Sequence, residues 1–276
     1  MISDITLGQF FPGYSPIHKL DPRTKIILAT LFIVAVFVAN NPASFLLIGV
    51  VALILVAVSR ISMSVILKGI KPILFILLFT ALINIFMTKG EGAPLVEFWI
   101  IKIYKEGIIR AILMALRVII LIIGTSILLT YTTSPMDLTD AMERLLSPLK
   151  KIGLPIHEFA MMMSLALRFV PTLIEETEKI INAQKARGAD FETGNLLQRA
   201  RALIPILIPL FVSSFTRATE LATAMECRCY TGGEGRTRMR EMHLTAVDWA
   251  VALLFLLFFA AIPLIGNIPF LPGAVG

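Results

Sequence analysis

Charge is scarce in this chain. Of its 276 residues only 16% are Asp, Glu, Lys or Arg, against roughly a quarter in ordinary soluble domains. That shortage excludes a disordered chain. Cysteine is nearly absent: Cys227 and Cys229 stand one residue apart and cannot staple distant segments, which excludes a secreted disulfide scaffold. The three histidines, His18, His157 and His243, belong to separate segments. Zinc wants three or four ligands, so Cys227-Arg228-Cys229 is better read as small residues around an arginine than as a metal site. No phosphate loop of the form GxxxxGK[ST] occurs, so the chain has no such site of its own for ATP. What is present is apolar: 57% of residues are hydrophobic and mean hydropathy is +0.85. A soluble fold of this size cannot hide that much apolar surface, so the chain is an integral membrane protein and a soluble enzyme is excluded. The net charge of +6 then speaks to orientation and lipid headgroups and not to nucleic acid.

Five apolar runs mark the membrane spans. They cover Ile26–Val38, Ala43–Val58, Pro72–Met87, Ile108–Tyr131 and Ala246–Ile265. A crossing helix needs about 20 residues. The first two runs are short and are broken by Asn40-Asn41-Pro42, so they form two helices joined by a tight turn or a broken pair. No cleavable signal peptide is expected in the first 25 residues, which carry charges and prolines. Lys19, Arg23 and Lys25 at the amino end, Arg60, Lys68 and Lys71 after the second span, and the segment Thr132–Leu244 all lie on one side if spans alternate. The positive-inside tendency puts that side in the cytoplasm. Lys89, Lys102, Lys105 and Arg110 fall near the outer side and count against it. Arg117 has two readings: a substrate or partner contact inside the membrane, or a side chain facing a neighbouring helix or snorkelling outward.

Thr132–Leu244 differs from the rest. It holds 14 of the 25 basic residues and 13 of the 19 acidic ones. Ser134-Pro135 opens a helix, with acidic residues in its first turn, that ends before Gly153-Leu154-Pro155. A second helix is predicted over Ile156–Arg187, with Phe159, Met163, Leu167, Val170, Ile174 and Ile181 at steps of three and four. Pro171 should bend it, and Gly188 stands where a left-handed cap is common. A third is predicted over Leu196–Arg228, with Leu196, Ala200, Leu203, Leu207, Leu210, Ser214, Ala218, Leu221 and Met225 as its inner stripe and Pro205 and Pro209 as kinks. Tyr230-Thr231-Gly232-Gly233 ends it. The two long helices match in length and stripe and should pack on each other. The run Leu203–Val212 is apolar enough to touch the bilayer, or to cross it. Glu175-Glu176 lies on the charged face and reads as solvated surface. Gly232–Arg240, with Arg236, Arg238 and Arg240, reads as a basic loop, either solvated or against anionic headgroups. Met161-Met162-Met163 offers adaptable packing.

Both long helices end in an arginine with small neighbours: Ala186-Arg187-Gly188 and Cys227-Arg228-Cys229. Such a guanidinium is free to enter a groove on another protein, where its planar fork bonds carboxylates or carbonyls. The plain alternative is a cation that complements the helix macrodipole.

Several segments resemble the transmembrane T component (the EcfT family) of energy-coupling factor (ECF) transporters, a type of ABC uptake transporter. They are Ser15-Pro16-Ile17-His18-Lys19-Leu20-Asp21-Pro22-Arg23-Thr24-Lys25, Ala166-Leu167-Arg168-Phe169-Val170-Pro171 with Glu175-Glu176, Ala186-Arg187-Gly188, and Met225-Glu226-Cys227-Arg228-Cys229-Tyr230. The resemblance covers nearly the whole chain. It implies an all-α integral membrane protein of about five transmembrane helices. To these it adds a cytoplasmic coupling domain of about three amphipathic helices, two of them long and packed together. The organisation expected is 1–131 membrane domain, 132–244 coupling domain and 245–276 last span. The resemblance implies docking of Ala186, Arg187, Gly188, Cys227, Arg228 and Cys229 on two ATP-binding cassette ATPase subunits. It implies a small membrane S component that binds a vitamin or similar micronutrient, and a place in the cell membrane of a prokaryote. ATP is expected in the partners, with no cofactor, metal or catalytic residue in this chain. At the second arginine the sequence departs from the family, whose common Ala and Gly are here Cys227 and Cys229. That puts the helix-end geometry in question, since cysteine lacks glycine's freedom at positive φ. The alternatives are a self-contained transporter, which usually shows internal repeats and mid-membrane ionisable groups, and a membrane-embedded enzyme, which would need acid/base clusters in the spans.

Overall fold

The computed structural model describes residues 10–39, 41–88, 96–98, 101–191, 195–233 and 242–266. Asn40, Lys89 and Glu234–Arg240 of the expected basic loop lie outside them, as does the side chain of Lys102. The chain runs α1 (Pro16–Lys19), α2 (Pro22–Val38), α3 (Pro42–Ser59), α4 (Met63–Ile70), α5 (Leu74–Met87), β1 (Val96–Phe98) and β2 (Ile101–Ile103). It continues through α6 (Lys105–Thr125), α7 (Pro135–Leu146), α8 (Ile156–Ala186), α9 (Leu196–Ala202), α10 (Ile204–Cys227) and α11 (Ala246–Gly266). A six-residue π-helix, Ser126–Tyr131, prolongs α6. The fold is all-α apart from the small antiparallel pair β1–β2, in the register Val96↔Ile103, Glu97↔Lys102, Phe98↔Ile101. Three residues per strand gave too short an alternation to be read from sequence.

The chain divides into two compact units. One takes in the described residues of Gly8–Leu138 and Glu241–Gly276, the other those of Thr139–Arg240. In the first unit, helix starts are written as a capping residue followed by proline. Ser15 precedes Pro16, and its hydroxyl accepts the His18 N–H. Asp21 precedes Pro22, and its carboxylate accepts the Arg23 N–H at 2.9 Å. Proline at the first helical position loses no bond, and the cap satisfies an orphan donor. The core gathers Phe32, Val36, Ile48, Ile127, Leu128 and Ile262, each at most 1% exposed.

A buried polar knot fixes the amino end. Lys25, 1% exposed, donates to the Thr132 carbonyl at 2.8 Å and the His18 carbonyl at 3.3 Å. Asp248, also 1% exposed, accepts the Asp21 N–H and the Thr245 N–H, both at 2.8 Å, and the Thr245 hydroxyl at 2.6 Å. Buried charges persist only when satisfied in this way. The knot ties the start of α2 to the end of the π-helix and the start of α11. Arg117 is settled as a packing residue. It donates to the Ala39 carbonyl at 2.8 Å, at the C-terminus of α2, and lies 5.1 Å over the Phe45 ring. A cation at a helix C-terminus and over an aromatic face is favourable on both counts.

Among the described residues, five helical stretches of 18 residues or more are apolar enough to cross a membrane: Pro42–Ser59, Met63–Met87, Gly107–Tyr131, Leu197–Cys227 and Ala246–Leu264. The number agrees with the sequence; the membership does not. The run at Ile26–Val38 becomes α2, whose 17 residues lie at the short end of the crossing range, so it stands outside this set without losing its reading as a short span. The third span starts earlier than Pro72, because α4, a turn at Lys71–Ile73 and α5 join end to end. Leu197–Cys227 is in the set by length and composition alone; it is also the third helix of the charged segment, whose run Leu203–Val212 is apolar enough to touch the bilayer or to cross it.

Candidate functional site

α8 begins and ends where the sequence predicts; α7 begins at Pro135 as predicted but ends at Leu146, and a 3-10 helix, Ser147–Ile152, carries the chain on to Gly153, which turns it at φ 86°. The third predicted helix is instead two, α9 and α10, broken at Leu203. Pro205 has no N–H and cannot sit inside a helix without loss, so it opens a new one. The break also resets the helical phase. Ile206 becomes the buried residue, while the predicted inner residues Ala200, Leu203, Leu207 and Ala218 are exposed. Leu210, Ser214, Leu221 and Met225 keep their half-buried places. On α8, Phe159 and Met163 are exposed and Leu167, Val170, Ile174 and Ile181 half-buried.

α8 and α10 pack antiparallel. Glu176 accepts from the Ser213 hydroxyl and, at 2.7 Å, from Arg217. One turn pair further along, Gln184 donates to the Pro205 carbonyl at 3.4 Å. Eight residues forward on α8 match eight residues back on α10. The start of α8 meets the chain beyond α10: a Cβ on Gly233 would stand 2.3 Å from the His157 ring. His157 itself pairs with Glu143 of α7 at 2.9 Å. Thus Glu176 is part of the helix pair and not solvated surface. The Ser213 hydroxyl, aided by Arg217, holds its carboxyl below the ordinary carboxylate range despite some desolvation. Sequence alone gives no signal that joins residues of two helices 37 positions apart; Glu175 beside it is exposed, as read.

The two helix ends share one geometry. At the end of α8 the Ala189 N–H bonds the Gln184 carbonyl at 3.0 Å and the Gly188 N–H bonds the Lys185 carbonyl at 3.0 Å. At the end of α10 the Tyr230 N–H bonds the Met225 carbonyl at 3.0 Å and the Cys229 N–H bonds the Glu226 carbonyl at 2.8 Å. Both are Schellman caps, with one left-handed residue after the capping arginine. Gly188 has φ 85° and Cys229 has φ 54°. Cysteine therefore takes up the conformation that glycine takes at the first tip. Arg187 and Arg228 are the capping residues themselves, and both are exposed, as are Ala186, Gly188, Cys227 and Cys229. Because the helices run antiparallel, the two arginines stand at opposite ends of the pair. About 26 residues of helix separate them, on the order of 40 Å.

Between the tips, α10 carries an apolar face. Leu207, Ile208, Phe211, Val212 and Phe215 are each more than half exposed within the chain. A cavity of about 310 Å³ lies near the end of α8, lined among others by Glu178, Ile181, Lys185, Phe191 and Ile206. The arrangement is two exposed cations far apart with apolar surface between them.

Comparison with known proteins agrees with this architecture. Residues 13–239 match the family model described as cobalt transport protein. The chain is 56% identical to the energy-coupling factor transporter transmembrane protein EcfT of Clostridium kluyveri, over 92% of this chain and 93% of that one. Against the protein of that name from Ruminiclostridium cellulolyticum the identity is 54%, over 94% and 96% of the two chains. Against that of Bacillus subtilis it is 48%, over 94% and 99%. These likenesses define the class first: a multi-pass membrane component of a transporter, a role that is not enzymatic. The chain belongs to the family of energy-coupling factor transporter transmembrane proteins.

Proposed function

We propose that the chain is the scaffold that carries ATP-driven movement from two partner ATPases to a substrate-binding S component. The transport served is import of a vitamin or similar micronutrient across a prokaryotic cell membrane. One observation carries the proposal: two exposed arginines, on the same cap geometry, at opposite ends of one antiparallel helix pair. Two points on the order of 40 Å apart suit two separate subunits better than one. Each ATPase cleft receives one tip, Ala186-Arg187-Gly188 or Cys227-Arg228-Cys229, and binds the guanidinium fork through carboxylates or carbonyls. In this reading the charged unit lies in the cytoplasm and ATP is bound by the partners alone. Closure of the ATPases moves the tips, and α8 and α10 act as levers. Their apolar faces, Phe159 and Met163 on one and Phe211 and Phe215 on the other, shift against the S component, tip it and release its substrate inward.

The test is charge reversal at both tips in the tagged, detergent-solubilised complex. Arg187→Glu with Arg228→Glu should reduce ATPase recovery at least tenfold while the S component stays bound. Full recovery of the ATPases with the double variant would overturn the proposal.

A further inference from the structure

A charged concavity lies in the unit that holds α1–α6 and α11. It has a volume of about 480 Å³, and its wall includes Tyr14, Lys19, Leu20, Arg60 and Val247. Three features distinguish it from ordinary surface. First, its place is fixed by two spans. Arg60 follows directly on Ser59, the last residue of one stretch able to cross the membrane, and Val247 stands in the first turn of another. The concavity is therefore at the depth of the lipid headgroups. Second, both of its cations are available. Lys19 and Arg60 are exposed, and neither makes a hydrogen bond or ion pair with the described residues. The nearby carboxylates do not neutralise them. Asp248 is buried and turned to Thr245 and the Asp21 backbone, and Asp21 is buried and turned to Arg23. Arg60 is also presented by an unusual backbone, at φ 55°. Third, an amphipathic aromatic, Tyr14, lines the spot, and a second, Trp249, stands two residues along α11 from its Val247. Tyr14 is 94% exposed and Trp249, in the first turn of α11, is 68% exposed, and such rings settle at the membrane–water boundary.

We propose that this concavity is a binding site for the headgroup of an anionic phospholipid. The phosphate sits between Lys19 and Arg60, the Tyr14 hydroxyl donates to a headgroup oxygen, and the acyl chains run down the apolar wall that begins at Val247. Basic pockets between membrane helices bind anionic headgroups on this principle. The assignment is independent of the ATPase-docking proposal, since it uses neither arginine tip.

The experiment is native mass spectrometry of the full chain released from nanodiscs of phosphatidylglycerol or of phosphatidylcholine with the same acyl chains. Phosphatidylglycerol should remain as a discrete adduct, retained at least tenfold better than phosphatidylcholine. Lys19→Gln with Arg60→Asn, where Asn tolerates the left-handed backbone, should lower that preference by about fivefold per cation removed. The phosphatidylcholine background should not change. Equal retention of the two lipids by the unaltered chain overturns the proposal without any variant. So does loss of the adduct to millimolar inorganic phosphate, which would make this a site for a soluble anion.

Discussion

At the scale of single residues, the most informative is Cys229. A left-handed residue closes each arginine-tipped helix, and at the first tip it is glycine. An L-residue pays about 1–2 kcal/mol for that conformation. Cys229 holds it because the two cap bonds at Glu226 and Met225 are both made. Cys229→Gly should therefore tighten the α10 end by about 1 kcal/mol. Hydrogen exchange of the amides at 229 and 230, corrected for intrinsic rates, should slow about fivefold, and unchanged or faster exchange would show that the cysteine is unstrained. Arg117 makes the opposite lesson. Its charge in an apolar run drew attention as a contact for a ligand, and its partners prove to be the carbonyl of Ala39 and the ring of Phe45.

At the scale of elements, proline and glycine decide where helices start and how closely they approach. Pro16, Pro22 and Pro42 open helices, and Pro205 opens α10 within a run the sequence reads as one helix. Glycine works between helices. A Cβ on Gly124 of α6 would stand 2.1 Å from the ring of Phe32, which is wholly buried in α2. Neither backbone nor ring has room to yield, so Gly124→Ala should overpack the contact and cost about 1–3 kcal/mol. A thermal melt of the purified protein in detergent, followed by size-exclusion recovery, measures this. A melting temperature equal to that of the unaltered chain would mean that α2 and α6 are further apart than described. This contact sits just before the π-helix Ser126–Tyr131, a rare form that is frequent at functional sites.

At the scale of the whole molecule, the decisive fact is direction. An antiparallel α8–α10 pair sets the arginines apart, whereas a parallel pair would bring them within about 10 Å, one interaxial spacing. Spin labels on Cys227 and on Ala186→Cys, with Cys229→Ser to leave one native thiol, report the difference. About 24 residues of α10 lie between the labelled levels, so a dipolar distance on the order of 36 Å is expected. A distance under about 20 Å would refute the antiparallel register and, with it, the geometry that suits two separate partners.

Composition by itself determined the membrane class, because 57% hydrophobic residues leave no soluble alternative. Periodicity and punctuation determined α8 almost to the residue, along with the start of α7 and the turn after it, since Ser134-Pro135, Gly153 and Gly188 act through local backbone sterics alone; the change from α- to 3-10 helix at Ser147 left no such mark. The two arginine tips were legible for the same reason: a helix end is a local event. The stripe of α10 was legible at Leu210, Ser214, Leu221 and Met225 and not at Leu203 or Leu207, where the break resets the phase. Tertiary structure alone decided the rest. It paired Glu176 with Ser213 and Arg217, gave Lys25 and Asp248 their buried partners, turned Arg117 inward, and fixed α8 against α10 in opposite directions. The physical reason is common to all four. Each depends on which distant segments share a face, and side-chain spacing along one helix holds no record of the helix that will lie against it.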